Sequence, residues 1–318
     1  MTATPMAHAS RAGLVFLSLF ALSQGVRDAY FGHVFQAVSF LLVAVLAFGA
    51  STLVFGLLAL VRRPGDLALL LGRPRDLLML NLTTAAAWLC FFYGLQHLEP
   101  AVVATLYNGV GPLVIVALGS AGLAVGQAPA GRMEWGCYGA IALALTGLVA
   151  VVLADRSGLP GDQGSGQMLA LAAVVLGGAM ITISYLFARR LTDGGLGSDS
   201  VMAARFLLTL ALALLLEGVL DPISTRPPAE ALALLGLAAF ALIVVPSFLV
   251  QLGVSRSSPL AANVFRALGP VCVFAVQQLD GRLRFSGATL VCIVLFCSFT
   301  IAASLLRAWH EAGRRIWP

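Results

Sequence analysis

Apolar runs of about 20 residues follow one another along most of the chain, separated by short stretches rich in glycine, proline and charge. A helix that crosses the hydrocarbon core of a bilayer needs about 20 mostly apolar residues. The pattern therefore predicts an all-α polytopic membrane protein with ten transmembrane helices. The predicted spans are 12–32, 35–60, 77–96, 100–123, 136–154, 167–188, 200–220, 230–253, 259–279 and 285–307.

Composition agrees with this pattern and excludes several other classes of protein. Apolar residues make up 60% of the 318 positions and charged residues 10%, whereas about a quarter of a soluble domain is charged. This excludes soluble domains, a disordered scaffold and a nucleic-acid binder. Every basic residue is arginine, so the chain has no Walker A lysine, and an ATP-driven pump would need a separate motor subunit.

The arginines in the connections predict the orientation of the chain. With the N-terminus in the cytoplasm, the cytoplasmic segments hold twelve arginines and the opposite side holds four. Cytoplasmic loops of membrane proteins carry an excess of basic residues. We therefore expect a multi-pass protein of the inner (plasma) membrane with both termini cytoplasmic and a cytoplasmic tail over 308–318.

An internal repeat divides the ten spans. Residues 94–100 align with 253–259 at an offset of 159, and residues 104–112 align with 262–270 at an offset of 158. Because each half has an odd number of spans, the second half must be inverted relative to the first, an arrangement that suggests a midplane site and alternating access. The predicted organisation is a five-helix repeat over 12–154, a connecting loop over 155–166 and a second five-helix repeat over 167–307.

These features resemble a known family of transporters. The ten spans, the repeat and an A-x-x-x-x-x-x-G-P pattern in spans 4 and 9 resemble the EamA branch of the drug/metabolite transporter superfamily, and residues 203–207 resemble its arginine-containing start of a repeat's second span. The resemblance covers about residues 12–307. It implies the fold and a transport function, but it does not indicate the substrate. Gln127 stands where a glutamate commonly follows span 4, and the acid nearest the end of span 9 is Asp280.

Span 9 carries a polar stripe. Asn263, Arg266 and Pro270 are spaced i, i+3 and i+7, which places them on one face of a helix. Pro270 has no N–H, so the carbonyl of Arg266 lacks its helical donor. A charge at membrane depth is costly and often marks a substrate pathway. We expect Arg266 to bind an anionic group of a substrate; the alternative is a kinked helix whose polar groups satisfy one another.

Span 4 repeats this stripe with Thr105, Asn108 and Pro112 at the same spacing. The two stripes are predicted to form the walls of a substrate cavity, with Pro112 and Pro270 as gating hinges. Asn also serves as a contact between helices, which is the alternative for both asparagines. Tyr107 in span 4 is a candidate to line the same cavity and stack on the substrate; the alternative is that it packs or anchors at an interface, as most aromatic residues in spans do. Gln251 in span 8 is a similar candidate.

Span 1 contains the other charged stretch. Gln24, Arg27, Asp28 and Phe31 are spaced i, i+3, i+4 and i+7. If span 1 extends to residue 32, Asp28 would bind a proton or the amino group of a zwitterionic substrate, with Arg27 as its counter-charge. If the span ends sooner, the pair is interfacial.

Together these patterns predict a secondary active transporter that exports small polar metabolites, such as amino acids, opine-like metallophores or related anions. The alternatives are an importer, an exchanger, an intramembrane enzyme or a scaffold. An enzyme is not expected, because the chain has no HExxH or GxSxG motif. We expect a small-molecule substrate and the bilayer as partners, with no nucleic acid, cofactor or metal. Proton coupling or facilitated exchange, and a monomer or a homodimer, stay open.

Overall fold

A computed structural model describes residues 11–122, 128–159, 165–220, 228–249 and 259–316. These residues are helical or lie in short connections, and none of them forms a strand. The helices are α1 Arg11–Val34, α2 Phe40–Arg62, α3 Asp66–Leu71, α4 Pro74–His97, α5 Pro100–Ser120, α6 Arg132–Leu153, α7 Ser165–Asp193, α8 Ser198–Ala204, α9 Leu207–Leu220, α10 Ala229–Ala239, α11 Pro259–Gln277 and α12 Gly287–Ile316.

Among the described residues, eight helical segments are long and apolar enough to cross a membrane. This confirms the prediction of an all-α protein with many membrane-capable helices. The two remaining predicted spans correspond to α1 and α11, which are 24 and 19 residues long. Within the part of α11 that was described down to its side chains, Asn263–Gln277 forms an apolar stretch. These two helices carry the charged candidate residues Arg27, Asp28 and Arg266.

The chain divides into two compact units. Unit 1 is drawn from residues 1–30, 99–164 and 245–318, and unit 2 from residues 31–98 and 165–244. In unit 1, α5, α6, α11 and α12 form one packed group, in which α5 and α11, the helices of the two predicted polar stripes, are in contact. In unit 2, α4 packs along α7, and α2 packs against α8 and α9. Each unit thus combines segments from both sequence halves, and the division into two inverted repeats stays a prediction.

The predicted span 200–220 is interrupted at Arg205 and Phe206, between α8 and α9. Asn81 of α4 explains the interruption. Its Nδ2 donates to the carbonyl of Ala204 at 2.9 Å, and its Oδ1 accepts from the amide of Leu208 at 3.0 Å. In a continuous helix the amide of Leu208 would donate to the carbonyl of Ala204. The Asn81 side chain instead bonds the Ala204 carbonyl and the Leu208 amide, and this stabilises the break between α8 and α9.

Two other predicted boundaries differ from the structure. The segment of predicted span 8 contains a π-helical turn at Phe240–Val244, two residues before Pro246. Proline cannot donate to the carbonyl four residues earlier, and a π turn accommodates such a defect. At the C-terminus, α12 continues to Ile316, so most of the predicted tail 308–318 is helical.

Candidate functional site

The nine candidate residues within the described ranges all lie in unit 1, on α1, α5 and α11. They are Arg27, Asp28, Thr105, Tyr107, Asn108, Pro112, Asn263, Arg266 and Pro270. Gln251, also a predicted site residue, and Gln127 lie outside the described residues. The structure therefore places candidates from both sequence halves in one compact unit.

Arg27 and Asp28 form a buried ion pair on α1. Their exposed fractions are 6% and 0%, and Arg27 Nε lies 2.6 Å from Asp28 Oδ1. The other carboxylate oxygen, Asp28 Oδ2, is buried and accepts no hydrogen bond from the described part of the chain. A buried ion pair loses its hydration, and its unfilled lone pairs add to that cost. The pair is thus an energetically expensive feature of α1.

Gln24 lies one turn before Asp28 and is not among the predicted site residues. Its side chain is 5% exposed, and its Oε1 accepts no hydrogen bond from any described residue. This oxygen lies against Gly269 of α11 so closely that a Cβ at Gly269 would overlap it. The i, i+4 spacing of two polar residues in an apolar run was the sequence signal for this position.

A second close contact joins α1 to α11. A Cβ added to Gly25 would lie 2.9 Å from the carbonyl oxygen of Cys272, so only glycine allows this approach. Because Gln24 contacts Gly269 and Gly25 contacts Cys272, the Gln24 and Asp28 side of α1 packs on α11. Arg266 precedes Gly269 by one turn on α11 and is half-buried.

The polar side chains of α5 bond to their own helix. Thr105 Oγ1 donates to the carbonyl of Ala101 at 2.5 Å, and Asn108 Nδ2 donates to the carbonyl of Ala104 at 2.8 Å. Thr105 and Tyr107 are buried and Asn108 is half-buried. These two side-chain donors are therefore satisfied within α5 itself.

The stripe on α11 is less buried. Asn263 is exposed and Arg266 is half-buried, whereas Pro270 is buried. Pro112 and Pro270 both lie inside helices. Each removes the donor for the carbonyl four residues earlier. The helices continue through both prolines, and the hinge role stays a prediction.

Glu99 forms a polar cluster that the sequence did not predict. It is 1% exposed, precedes α5 and accepts hydrogen bonds from the Gly158 amide at 2.6 Å, Gln277 Nε2 at 2.5 Å and Thr289 Oγ1 at 3.3 Å. Gln277 Oε1 in turn accepts from the amide of Ala101 at 2.9 Å. Burial raises the pKa of Glu99, and the three hydrogen bonds act in the opposite direction. The cluster ties together the starts of α5 and α12, the end of α11 and the loop after α6.

Arg205 lies in unit 2, at the break between α8 and α9, and is 7% exposed. Its Nη2 donates to Ser184 Oγ at 3.1 Å, and its guanidinium carbon lies 5.6 Å from the centre of the Tyr185 ring. Ser184 also shares a hydrogen bond with Thr84 at 2.7 Å. The guanidinium is thus held inside unit 2 by residues of α7.

Groups of three or more His, Cys, Asp or Glu that could hold a metal ion do not occur within the described ranges.

Comparisons with known proteins give a fold and no function. No protein-family model matches the chain, and no curated protein matches it. Solved structures do match. The crystal structure of one other protein superposes with a TM-score of 0.63 and 21% identity, over 94% of this chain and 97% of that chain. At this identity the likeness shows that nearly the whole chain shares its fold with an experimentally determined structure.

Proposed function

We propose that the protein is a secondary active transporter that exports small polar organic metabolites by alternating access. The observation that carries this proposal is the pairing of α1 and α11. These two helices bear the buried Arg27–Asp28 pair, Gln24 and Arg266, and they come close together in unit 1 where Gly25 contacts Cys272 and Gln24 contacts Gly269. Charged residues at membrane depth are rare and usually serve transport or proton transfer.

The proposed substrates are amino acids, amino-acid-derived compounds such as opine-like metallophores, and related anions. Arg266 supplies a guanidinium for a carboxylate or phosphate. Asn263 and Asn108 offer side-chain amides, and the carbonyls freed by Pro112 and Pro270 offer acceptors. Asp28 is the proposed proton carrier if a proton gradient drives export.

The proposal extends to family and topology. The resemblance to EamA-type transporters supports ten spans in two inverted repeats, with α1 and α11 as the two polar spans. The contact between the repeat-related helices α5 and α11 agrees with this arrangement. The arginine distribution supports an inner-membrane protein with cytoplasmic termini.

The test compares extracellular metabolites from matched cells. The protein is absent, restored, restored as Arg266→Ala, or restored as Arg189→Ala, all at equal membrane abundance. Arg189 is the matched control because its side chain is 82% exposed and pairs with Asp193 on the same helix. We expect a compound to accumulate outside with the native chain and with Arg189→Ala, and to fall at least tenfold with Arg266→Ala, since a lost charge-assisted contact costs about 1.5–3 kcal/mol.

Other outcomes contradict the proposal in distinct ways. Depletion of a compound from the medium would indicate an importer. A compound of new mass that persists with Arg266→Ala would indicate an enzyme. An unchanged metabolite profile would remove the support for export.

A further inference from the structure

Gln24 and Asp28 form a pair of buried acceptors on one face of α1. They are four residues apart, and side chains at this spacing are neighbours on a helix surface. Their exposed fractions are 5% and 0%. Both lie on the side of α1 that packs on α11, because Gln24 contacts Gly269 and Gly25 contacts Cys272.

One oxygen of each side chain lacks a donor. Gln24 Oε1 and Asp28 Oδ2 are buried and accept no hydrogen bond from any residue that the structure describes. Asp28 Oδ1 already accepts from Arg27 Nε at 2.6 Å. A buried acceptor without a donor costs about 1–3 kcal/mol, and native proteins rarely leave one unsatisfied. Among the described residues, the pair is therefore short of N–H or O–H donors.

Charge balance restricts which class of ligand can supply these N–H or O–H donors. The carboxylate of Asp28 is already neutralised by Arg27, so a bare cation would leave a net positive charge in a low-dielectric interior. A zwitterion adds no net charge. Its ammonium group has three N–H donors, enough to serve both Gln24 Oε1 and Asp28 Oδ2. Gln24 also contacts the helix turn that follows Arg266, where the proposed function places the anionic group.

We propose that Gln24 and Asp28 bind the primary ammonium group of the substrate, which makes the substrates zwitterionic primary amines. This inference rests on the proposed transport function and specifies its substrate class. Gln24 Oε1 is the neutral acceptor that orients the ammonium group, and Asp28 Oδ2 is the charged acceptor. A Cβ at position 269 would overlap the Gln24 side-chain oxygen and would shift it from its present place.

The test measures ligand binding to the full-length protein in lipid nanodiscs at constant ionic strength and pH. Two probes, glycine and methylammonium, carry N–H donors. Their fully methylated counterparts, betaine and tetramethylammonium, have the same net charges but no N–H donor. Binding is followed by the rise in unfolding temperature, monitored through tryptophan fluorescence. We expect saturable stabilisation by glycine, weaker stabilisation by methylammonium and none by the methylated probes.

Variants locate the binding. Asp28→Asn should weaken glycine binding about tenfold or more, and Gln24→Leu by a smaller factor, since a neutral hydrogen bond contributes less than a charged one. Gln278→Leu is the matched control, because Gln278 is exposed and bonds to its own helix, and it should bind as the native chain does. Even where a variant does not fold, comparing the N–H probes with the methylated probes on the native chain tests whether N–H donors are needed for binding.

Three results would overturn the inference. The first is equal binding of the methylated and the N–H probes, and the second is no binding of any probe. The third is a rise in unfolding temperature on acidification that glycine does not increase further. Specific amine binding without metabolite export would refute the transport function only. Export of a compound that lacks N–H donors would refute the amine site only.

Discussion

Exchanging the carboxylate and the amide of Glu99 and Gln277 tests the hydrogen-bond network of unit 1. Glu99 accepts from Gly158, Gln277 and Thr289, while Gln277 Oε1 accepts from the amide of Ala101. The Ala101 amide can only donate, so it fixes the orientation of the Gln277 side chain. Gln277 must then present its NH₂ group to Glu99.

This orientation predicts the cost of each single exchange. In Glu99→Gln the new side chain has one acceptor oxygen and one NH₂ group. One of the two donors, the Gly158 amide or Gln277 Nε2, therefore points at that NH₂ group and loses its acceptor. Losing one charge-assisted hydrogen bond and leaving a buried donor should cost about 2–4 kcal/mol. In Gln277→Glu two carboxylates meet in a buried site, and repulsion should destabilise the fold by a similar amount.

The double exchange restores the match of donor and acceptor. The new carboxylate at position 277 accepts from Ala101 and from the new amide at position 99. We expect a coupling free energy of about 2 kcal/mol or more between the two substitutions. The assay is reversible unfolding in mixed detergent micelles at pH 8, followed by tryptophan fluorescence, for the native chain, both single variants and the double variant.

A control separates this network from a general effect of charge. Gln278→Glu adds a carboxylate at the exposed neighbouring position and should change the free energy of unfolding by less than about 0.5 kcal/mol. Additive free-energy changes in the two single variants, with no recovery in the double variant, would refute the orientation of Gln277 and the network built on it.

Two further perturbations test unit 2. Asn81→Leu leaves the carbonyl of Ala204 and the amide of Leu208 without their side-chain partner, and it should lower the free energy of unfolding by about 2 kcal/mol or more; unchanged stability would contradict the role of Asn81 in the helix break. The Ser200 hydroxyl and a backbone amide hold the pKa of Asp66 below its ordinary value of 3.8. Asp66 therefore stabilises the fold above this value, and the stabilisation is lost as the pH falls through its lowered pKa. Asp66→Asn should remove this part of the acid dependence in unfolding measured from pH 7 to pH 3, and an identical acid dependence in the variant would contradict it.

The span boundaries were largely predictable because they follow from local hydrophobicity. The predicted span 100–123 corresponds to α5 Pro100–Ser120, and 136–154 corresponds to α6 Arg132–Leu153. The break in predicted span 7 was not predictable. It depends on Asn81, whose partner Ala204 is 123 positions away in sequence, and no local pattern encodes such a contact.

The candidate site was predicted in part. Helical periodicity identified the polar faces of α1, α5 and α11, but it could not determine where each side chain would bond. Thr105 and Asn108 bond to carbonyls of their own helix, which competes with a role in binding. Periodicity placed Gln24 on the polar face of α1, but its burial and its contact with Gly269 are seen only in the structure. Glu99 becomes notable only through burial and long-range contacts, which the sequence alone does not show.

The central claim is that the polar stripe of α11 faces a water-filled pathway. The most direct test replaces the native cysteines and introduces Asn263→Cys or Arg266→Cys, with Leu143→Cys and Leu237→Cys as exposed apolar controls. The account predicts that a charged, membrane-impermeant thiol reagent modifies positions 263 and 266 from either side of the membrane, while both controls react only with a lipid-soluble reagent. Modification of position 263 by the lipid-soluble reagent alone would show that the stripe faces lipid and would contradict the account.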